Sequence, residues 1–166
     1  MGPMDGSGTG TPLDELARRG VQPSGPALVQ VAVAAVKTTT SLGILTLAAK
    51  QGELELLRNS RVYPLEKREG TNPFATMVTL GRAANNDVVV VHRAVSKFHA
   101  YFRPAGAQWA VYDAGSLNGT QVSGRRIPTE RAHPLQPGVE LLLGEAVRLL
   151  YLDAAALQEL LVTCRA

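Results

Sequence analysis

Cysteine is almost absent from this chain of 166 residues: Cys164 stands alone. No intrachain disulfide or thiolate zinc cluster can form, and a reducing compartment is the natural setting. Long apolar runs are missing too. The longest charge-free stretches, Thr38 to Ala49 and Gly20 to Val36, are too short or too broken by Pro and Gly to span a bilayer. Met1 to Gly10 has no basic segment followed by an apolar core, so no secretory signal is expected. Together these absences predict a cytoplasmic protein with no membrane partner. Charge of one sign is scarce: 17 Lys+Arg against 14 Asp+Glu leave a formal +3. The basic residues are scattered rather than gathered into a stripe, which argues against nucleic acid as a partner. Metal donors are equally sparse, because His92, His99 and His133 lie far apart without acidic or cysteine companions at ligand spacing. Neither a metal nor any other cofactor is expected, and no internal repeat is present.

What is present has the balance of a globular domain, with 45% hydrophobic and 19% charged residues. Residues 1–10 hold four glycines and one proline and read as a flexible tail. Thr11 suits a helix N-cap, with Pro12 at the first helical position, Asp14 three residues on and Gly20 closing the helix. From Ala27 to Asn59 the pattern is mixed: Val29, Val31 and Val33 alternate as in a strand, whereas the alanines and the leucine spacing favour helix. Helices are expected, with breaks at Gly43 and Gly52. Residues 11–59 are therefore read as a helical N-terminal extension.

After Asn59 the texture changes to short β-branched runs separated by turn residues, the signature of an all-β sandwich over 60–152. Candidate strands are Arg61–Glu66, Thr76–Leu80, Val88–Val91, His99–Phe102, Gln108–Tyr112, Gln121–Val122, Arg125–Ile127, Glu140–Leu143 and Val147–Tyr151. Trp109, on an alternating run, reads as core. Residues 153–166 close the chain with a short helix, which Asp153 can cap and whose Leu157, Leu160 and Leu161 give it a face to bury.

Three polar clusters interrupt the strands: Gly81-Arg82, Ser96-Lys97-Phe98-His99 and Ser116-Leu117-Asn118-Gly119-Thr120. A rigid sheet could hold all three loops at one end. A phosphorylated side chain has about −1.5 to −2 charges and three acceptor oxygens, so its receptor needs a fixed cation and several oriented donors. Arg82 supplies the cation. Ser96 offers a hydroxyl and its own backbone N–H, and Lys97 a second charge. The carboxamide of Asn118 suits the backbone of an extended peptide. Gly81 and Gly119 allow tight turning or close approach.

The order and spacing of Gly81-Arg82, Asn86-Asp87-Val88, Val95-Ser96-Lys97-Phe98-His99-Ala100 and Asp113-Ala114-Gly115-Ser116-Leu117-Asn118-Gly119-Thr120 resemble a forkhead-associated (FHA) domain over about Val62 to Leu152. The resemblance implies a β-sandwich of about eleven strands whose apical loops bind phosphothreonine peptides. By it, Arg82 and Ser96 correspond to phosphate contacts, Lys97 to an adjacent contact and Asn118 to the peptide-backbone contact. Gly81 and His99 correspond to loop-shaping positions, His99 bracing the loops by hydrogen bonds. The chain departs from the pattern at Leu117, where threonine or serine is common, at Ser123, where asparagine is frequent, and in Val91-His92-Arg93-Ala94, which lacks acidic and proline residues. Leu117 and the cations Arg93, Arg125 and Arg126 are possible flanking contacts, the arginines being otherwise solvated surface residues.

The expected function is a phosphothreonine-dependent adaptor module in Ser/Thr-kinase signalling, its partner such a kinase or a kinase substrate. The rival is a phosphate-independent interaction or self-association module using the N-terminal extension. An enzyme would have to use Ser96, His99 and Asp113 as nucleophile, base and orienting acid. On a continuous strand His99 would point away from Ser96, and no Gly-x-Ser-x-Gly elbow surrounds that serine, so no enzyme is expected. A further expectation concerns Thr11, where phosphorylation could let the tail occupy the apical loops of its own or another copy.

Overall fold

The computed structural model describes residues 9–31 and 58–165. In chain order the strands are β1 (Thr11–Pro12), β2 (Ala27–Val31), β3 (Arg61–Pro64), β4 (Val78–Gly81), β5 (Val88–Val89), β6 (Ala100–Ala105), β7 (Gln108–Asp113), β8 (Thr120–Val122), β9 (Arg125–Arg126), β10 (His133–Leu135), β11 (Glu140–Leu143) and β12 (Val147–Leu152). Helix α1 (Leu13–Arg19) lies between β1 and β2, and helix α2 (Ala154–Arg165) follows β12. A seven-stranded sheet in the order β1-β3-β2-β12-β11-β8-β9 faces a five-stranded sheet in the order β10-β7-β6-β4-β5. The pairings are antiparallel except that of β4 with β5. Among the described residues no helix is long and apolar enough to cross a membrane.

Period-2 alternation sorts the apolar side chains into two cores. Between the sheets lie Leu28, Leu80, Phe102, Val111, Leu141, Leu143, Leu149 and Tyr151, with Trp109 packed against their edge. On the outer face of the larger sheet a second core joins Ala27, Val29, Val31, Val62, Leu150 and Leu152 to Leu13, Leu16 and Ala17 of α1 and to Leu157, Leu160, Leu161 and Cys164 of α2. Each fully buried leucine contributes about 1.5–3 kcal/mol relative to exposure, so both helices are integral to the fold.

Local chemistry accounts for the helices. In α1, Asp14 and Glu15 lie in the first turn and pair with Arg18 and Arg19 at i+4, the chain then turning at Gly20 with φ of +67°. In α2, the Asp153 carboxylate accepts from the Ala156 N–H at 2.8 Å. Arg165 Nε reaches the Ala17 carbonyl at 2.9 Å and ties the two helices together.

Several expectations are corrected. Ala27–Val31 is a strand, not helix, and lies between β3 and β12 near the middle of the larger sheet. Its odd-numbered residues feed one core and Leu28 the other, so burial on both faces leaves little polar alternation to separate strand from helix. The sandwich therefore draws on residues from Thr11 onward rather than from 60, and the described part of the N-terminal extension is not a helical appendage. Residues 32–57, with the breaks expected at Gly43 and Gly52, lie outside the described residues. So do residues 1–8, but Gly10, assigned to the tail, is buried against the Tyr63 ring.

Thr11 does not cap α1. It pairs with Val62 in β1, while Pro12 takes the capping position without a side-chain bond. At 4% exposure Thr11 is closed to a kinase while β1 is paired, which removes the basis for the phosphorylated-tail switch. Strand β10 was not foreseen, because Pro134 argues against a strand. β10 is an edge strand, where a missing N–H is tolerated. With β1 and β2 this brings the described strands to twelve, against about eleven implied by the resemblance.

Candidate functional site

The three polar clusters meet at one end of the sandwich. As β4 ends, the Arg82 N–H donates to the Ser96 carbonyl at 2.9 Å and the Ala83 N–H to the Lys97 carbonyl at 3.2 Å. The approach is so close that a Cβ on Gly81 would stand 2.1 Å from the Lys97 oxygen. Glycine is required there by the crossing backbone. Asn86 holds the same crossing from below, donating to the Lys97 carbonyl at 2.6 Å and the Ala83 carbonyl at 2.9 Å. Arg82 itself is exposed, with Nε donating to the Val95 carbonyl at 3.0 Å. That bond fixes the guanidinium plane and leaves both Nη groups for an oxyanion.

His99 is fully buried and braces two loops at once. Its Nδ1 accepts from the Ser96 N–H at 3.0 Å, so its Nε2 carries the proton and donates to the Gly119 carbonyl at 3.0 Å. Burial pushes its pKa below the usual 6.5, against the opposing influences of the Gly119 carbonyl and the Asp113 charge. Protonation of Nδ1 would also abolish the bond to Ser96. Because the unfolded state binds that proton more readily, the stabilisation is complete above about pH 6.5 and is lost as pH falls through the lowered native pKa. Denaturant unfolding is therefore expected to show lower stability at pH 5.5 than at pH 7.5, with a smaller difference in His99→Asn; equal pH dependence in both proteins would refute the neutral brace.

Asp113 organises the third loop. Its buried carboxylate accepts from the Ser116 hydroxyl, the Thr120 hydroxyl at 2.7 Å and the N–H groups of Gly115 and Ser116 at 3.0 and 3.1 Å. Burial alone would raise its pKa. The hydrogen bonds from Ser116, Thr120 and the backbone outweigh it and hold the group below 3.8. Gly119 turns with φ of +85°, and its carbonyl receives the Gly144 N–H as well as His99.

Two cross-links bring this loop to the second cluster. The Leu117 N–H donates to the Ser96 hydroxyl at 3.0 Å, and Asn118 Nδ2 donates to the Ala94 carbonyl at 3.1 Å. Both bonds refine the roles expected of these residues. The Ser96 backbone N–H, expected to face a ligand, is consumed by His99, so Ser96 offers its hydroxyl proton. Asn118 offers its Oδ1. Lys97 and Arg93 are exposed and belong to the same loop as Ser96. Leu117 is 84% exposed at the loop tip. Arg125 and Arg126 lie exposed on β9, which pairs with β8 immediately after Gly119.

Ser96, His99 and Asp113 do not form a nucleophilic triad. Both ring nitrogens of His99 are engaged by backbone groups, the Ser96 hydroxyl meets Leu117, and Asp113 is bonded to its own loop. Residues 96–99 turn rather than run as a strand, so His99 reaches back to the Ser96 backbone instead of pointing away.

Positioning residues that sequence reasoning did not assign to the site are Asn86, Asp87 and Asp113. The buried Asp87 carboxylate receives the Thr79 N–H, the Arg68 N–H and the Lys67 ammonium, each at 2.8 Å, and pins the loop after β3 to β4. The signal for the first two was the polar pair set just before a valine run, a costly place for polar groups unless they are bonded.

The family pattern of the FHA domain matches residues 78–144. The oxoglutarate dehydrogenase inhibitor of Corynebacterium jeikeium is 39% identical over 75 residues, covering 45% of this chain and 49% of that protein. FHA domain-containing protein FhaB of Mycolicibacterium smegmatis is 33% identical over 70 residues, covering 42% and 44%. The matched stretch thus spans about half the length of these curated relatives. Among solved structures, Mycobacterium tuberculosis EmbR in complex with a low-affinity phosphopeptide has the same fold, with a TM-score of 0.51 at 22% identity over 79% of this chain and 25% of that one. The two-sheet topology, the loop architecture and the family match agree: this chain carries an FHA domain.

Proposed function

We propose that the apical loops bind phosphothreonine-bearing segments of a partner protein, so that the chain serves as a non-enzymatic adaptor in Ser/Thr-kinase signalling. The partner is such a kinase or one of its substrates. Arg82 neutralises the phosphate, the Ser96 hydroxyl and Lys97 orient its oxygens, and Asn118 holds the peptide main chain through Oδ1. The single observation that carries this reading is the linking of the three loops around an exposed Arg82: its Nε is held by the Val95 carbonyl, while the Leu117 N–H meets the Ser96 hydroxyl and Asn118 Nδ2 the Ala94 carbonyl. The phosphopeptide in the EmbR structure supports it. The free thiol of Cys164, buried rather than paired, suits the cytoplasm.

The apolar faces of α1 and β2, which the rival docking arm would use, are built into the molecule's own core, and residues 32–57 lie outside the described residues. The test is a degenerate phosphothreonine peptide library run against its unphosphorylated twin on the full chain. Retention of the phosphorylated library alone is expected; equal retention of both would overturn the proposal.

A further inference from the structure

Two adjacent arginines on β9 look equivalent in sequence, and register separates them. Arg126 pairs with Gln121, so its diagonal neighbour across the strands is Gly119, whereas Arg125 pairs with Val122. Side-chain alternation then puts Arg126 on the face shared by Gly119 and Gln121, and Arg125 on the other. The contact is close: a Cβ on Gly119 would lie 2.8 Å from both Cζ and Nε of Arg126 and 3.1 Å from its Nη2. The guanidinium therefore lies flush against Gly119, the residue after Asn118. Gly119 is itself fixed, because its carbonyl is held by His99 Nε2 and the Gly144 N–H.

A guanidinium laid along the chain in this way is a positioned cation rather than a waving side chain. Yet among the described residues Arg126 has no carboxylate within salt-bridge distance, whereas Arg18, Arg19 and Arg148 each have one. It is exposed, so an incoming chain can reach it. The guanidinium thus sits against the residue that follows Asn118, whose carboxamide is proposed to hold an extended peptide.

Resting on the phosphothreonine reading above, we infer that Arg126 is a specificity-determining residue that selects phosphothreonine segments bearing an acidic side chain near the phosphothreonine. Arg125, facing away from Gly119, has no part in that choice. A solvent-exposed pair of this kind gives a modest preference of about two- to fivefold, weakened by salt.

The test uses fluorescence anisotropy on the full chain. The probes are labelled phosphothreonine peptides with alanine at every flanking position, except for a single aspartate walked through three positions on either side, alongside the unphosphorylated all-alanine twin. Wild type is expected to prefer one aspartate position about two- to fivefold. Arg126→Gln should erase that preference and leave binding of the all-alanine phosphopeptide unchanged; Arg125→Gln should keep both. Matching thermal melts of the variants exclude a folding defect. Preference at no position, or identical behaviour of Arg125→Gln and Arg126→Gln, would overturn the inference while leaving phosphothreonine binding intact. An all-alanine phosphopeptide bound no better than its unphosphorylated twin would overturn the parent reading instead.

Discussion

Replacing Arg82 with alanine is expected to weaken phosphopeptide binding roughly ten- to a hundred-fold without lowering the melting temperature. A charge-assisted hydrogen bond contributes about 1.5–3 kcal/mol, and about 1.4 kcal/mol corresponds to each tenfold step in affinity. The fold should tolerate the change, because the side chain is exposed and the bond lost, from Nε to the Val95 carbonyl, is only part-buried. The backbone bond from the Arg82 N–H to the Ser96 carbonyl survives substitution, so the loop crossing at Gly81 stays in place. Titration calorimetry with a phosphothreonine peptide, paired with a thermal melt, reads both quantities. Unchanged affinity would mean that the phosphate, if bound at all, is bound elsewhere.

Asp113→Ala should act in the opposite way, through stability first and binding second. The substitution strands the buried Thr120 hydroxyl, the Ser116 hydroxyl and two backbone donors that now converge on one carboxylate. A buried donor left without a partner costs about 1–3 kcal/mol, so a loss of about 3–4 kcal/mol is expected after partial relaxation. The loop carrying Leu117 and Asn118 would then lose its anchor, and peptide affinity should fall although no peptide contact has been removed.

An acid titration separates this role from simple packing. The native carboxyl is held below its unfolded value of 3.8, so its stabilisation is fully present above that pH and is lost as pH falls through the native pKa. Equilibrium unfolding of wild type should therefore weaken below about pH 4, and Asp113→Ala should lose less over the same interval. A variant as stable as wild type at neutral pH would contradict the hub described here.

The apical residues were legible in the sequence because they are loop residues at strand ends, where polar groups stand out against valine and leucine. Gly81, Arg82, Ser96, Lys97, His99, Asn118 and Gly119 could all be singled out without coordinates. Their partners were less visible. Whether the Ser96 N–H faces outward or into His99 depends on a turn that breaks the strand geometry assumed for residues 96–99. Asp113 entered only as part of the family pattern and as the acid of a rejected triad, since nothing in the chain announces four donors arriving from its own loop.

Fold legibility failed where burial or position hid the pattern. Strand β2 is apolar on both faces, β10 contains a proline tolerated only at an edge, and Thr11 resembles a cap although its strand pairing with Val62 excludes that role. The distinction between Arg125 and Arg126 needed the register with β8, which periodicity alone does not supply. The resemblance to a known family carried the strand count closer than local patterns did, because several of these strands have only two or three residues.

Strand β2 works as a party wall: Ala27, Val29 and Val31 belong to the helix side and Leu28 to the sandwich side. A fragment trimmed to begin at Asn59 would tear that wall out. The hydrogen-bonding edges of β3 and β12 would be left open, together with the apolar floor on which α2 rests. Such open edges recruit other chains, so clumping by that fragment would report a wound in the sheet rather than a natural habit of the protein. Excision at Thr11 keeps the wall whole.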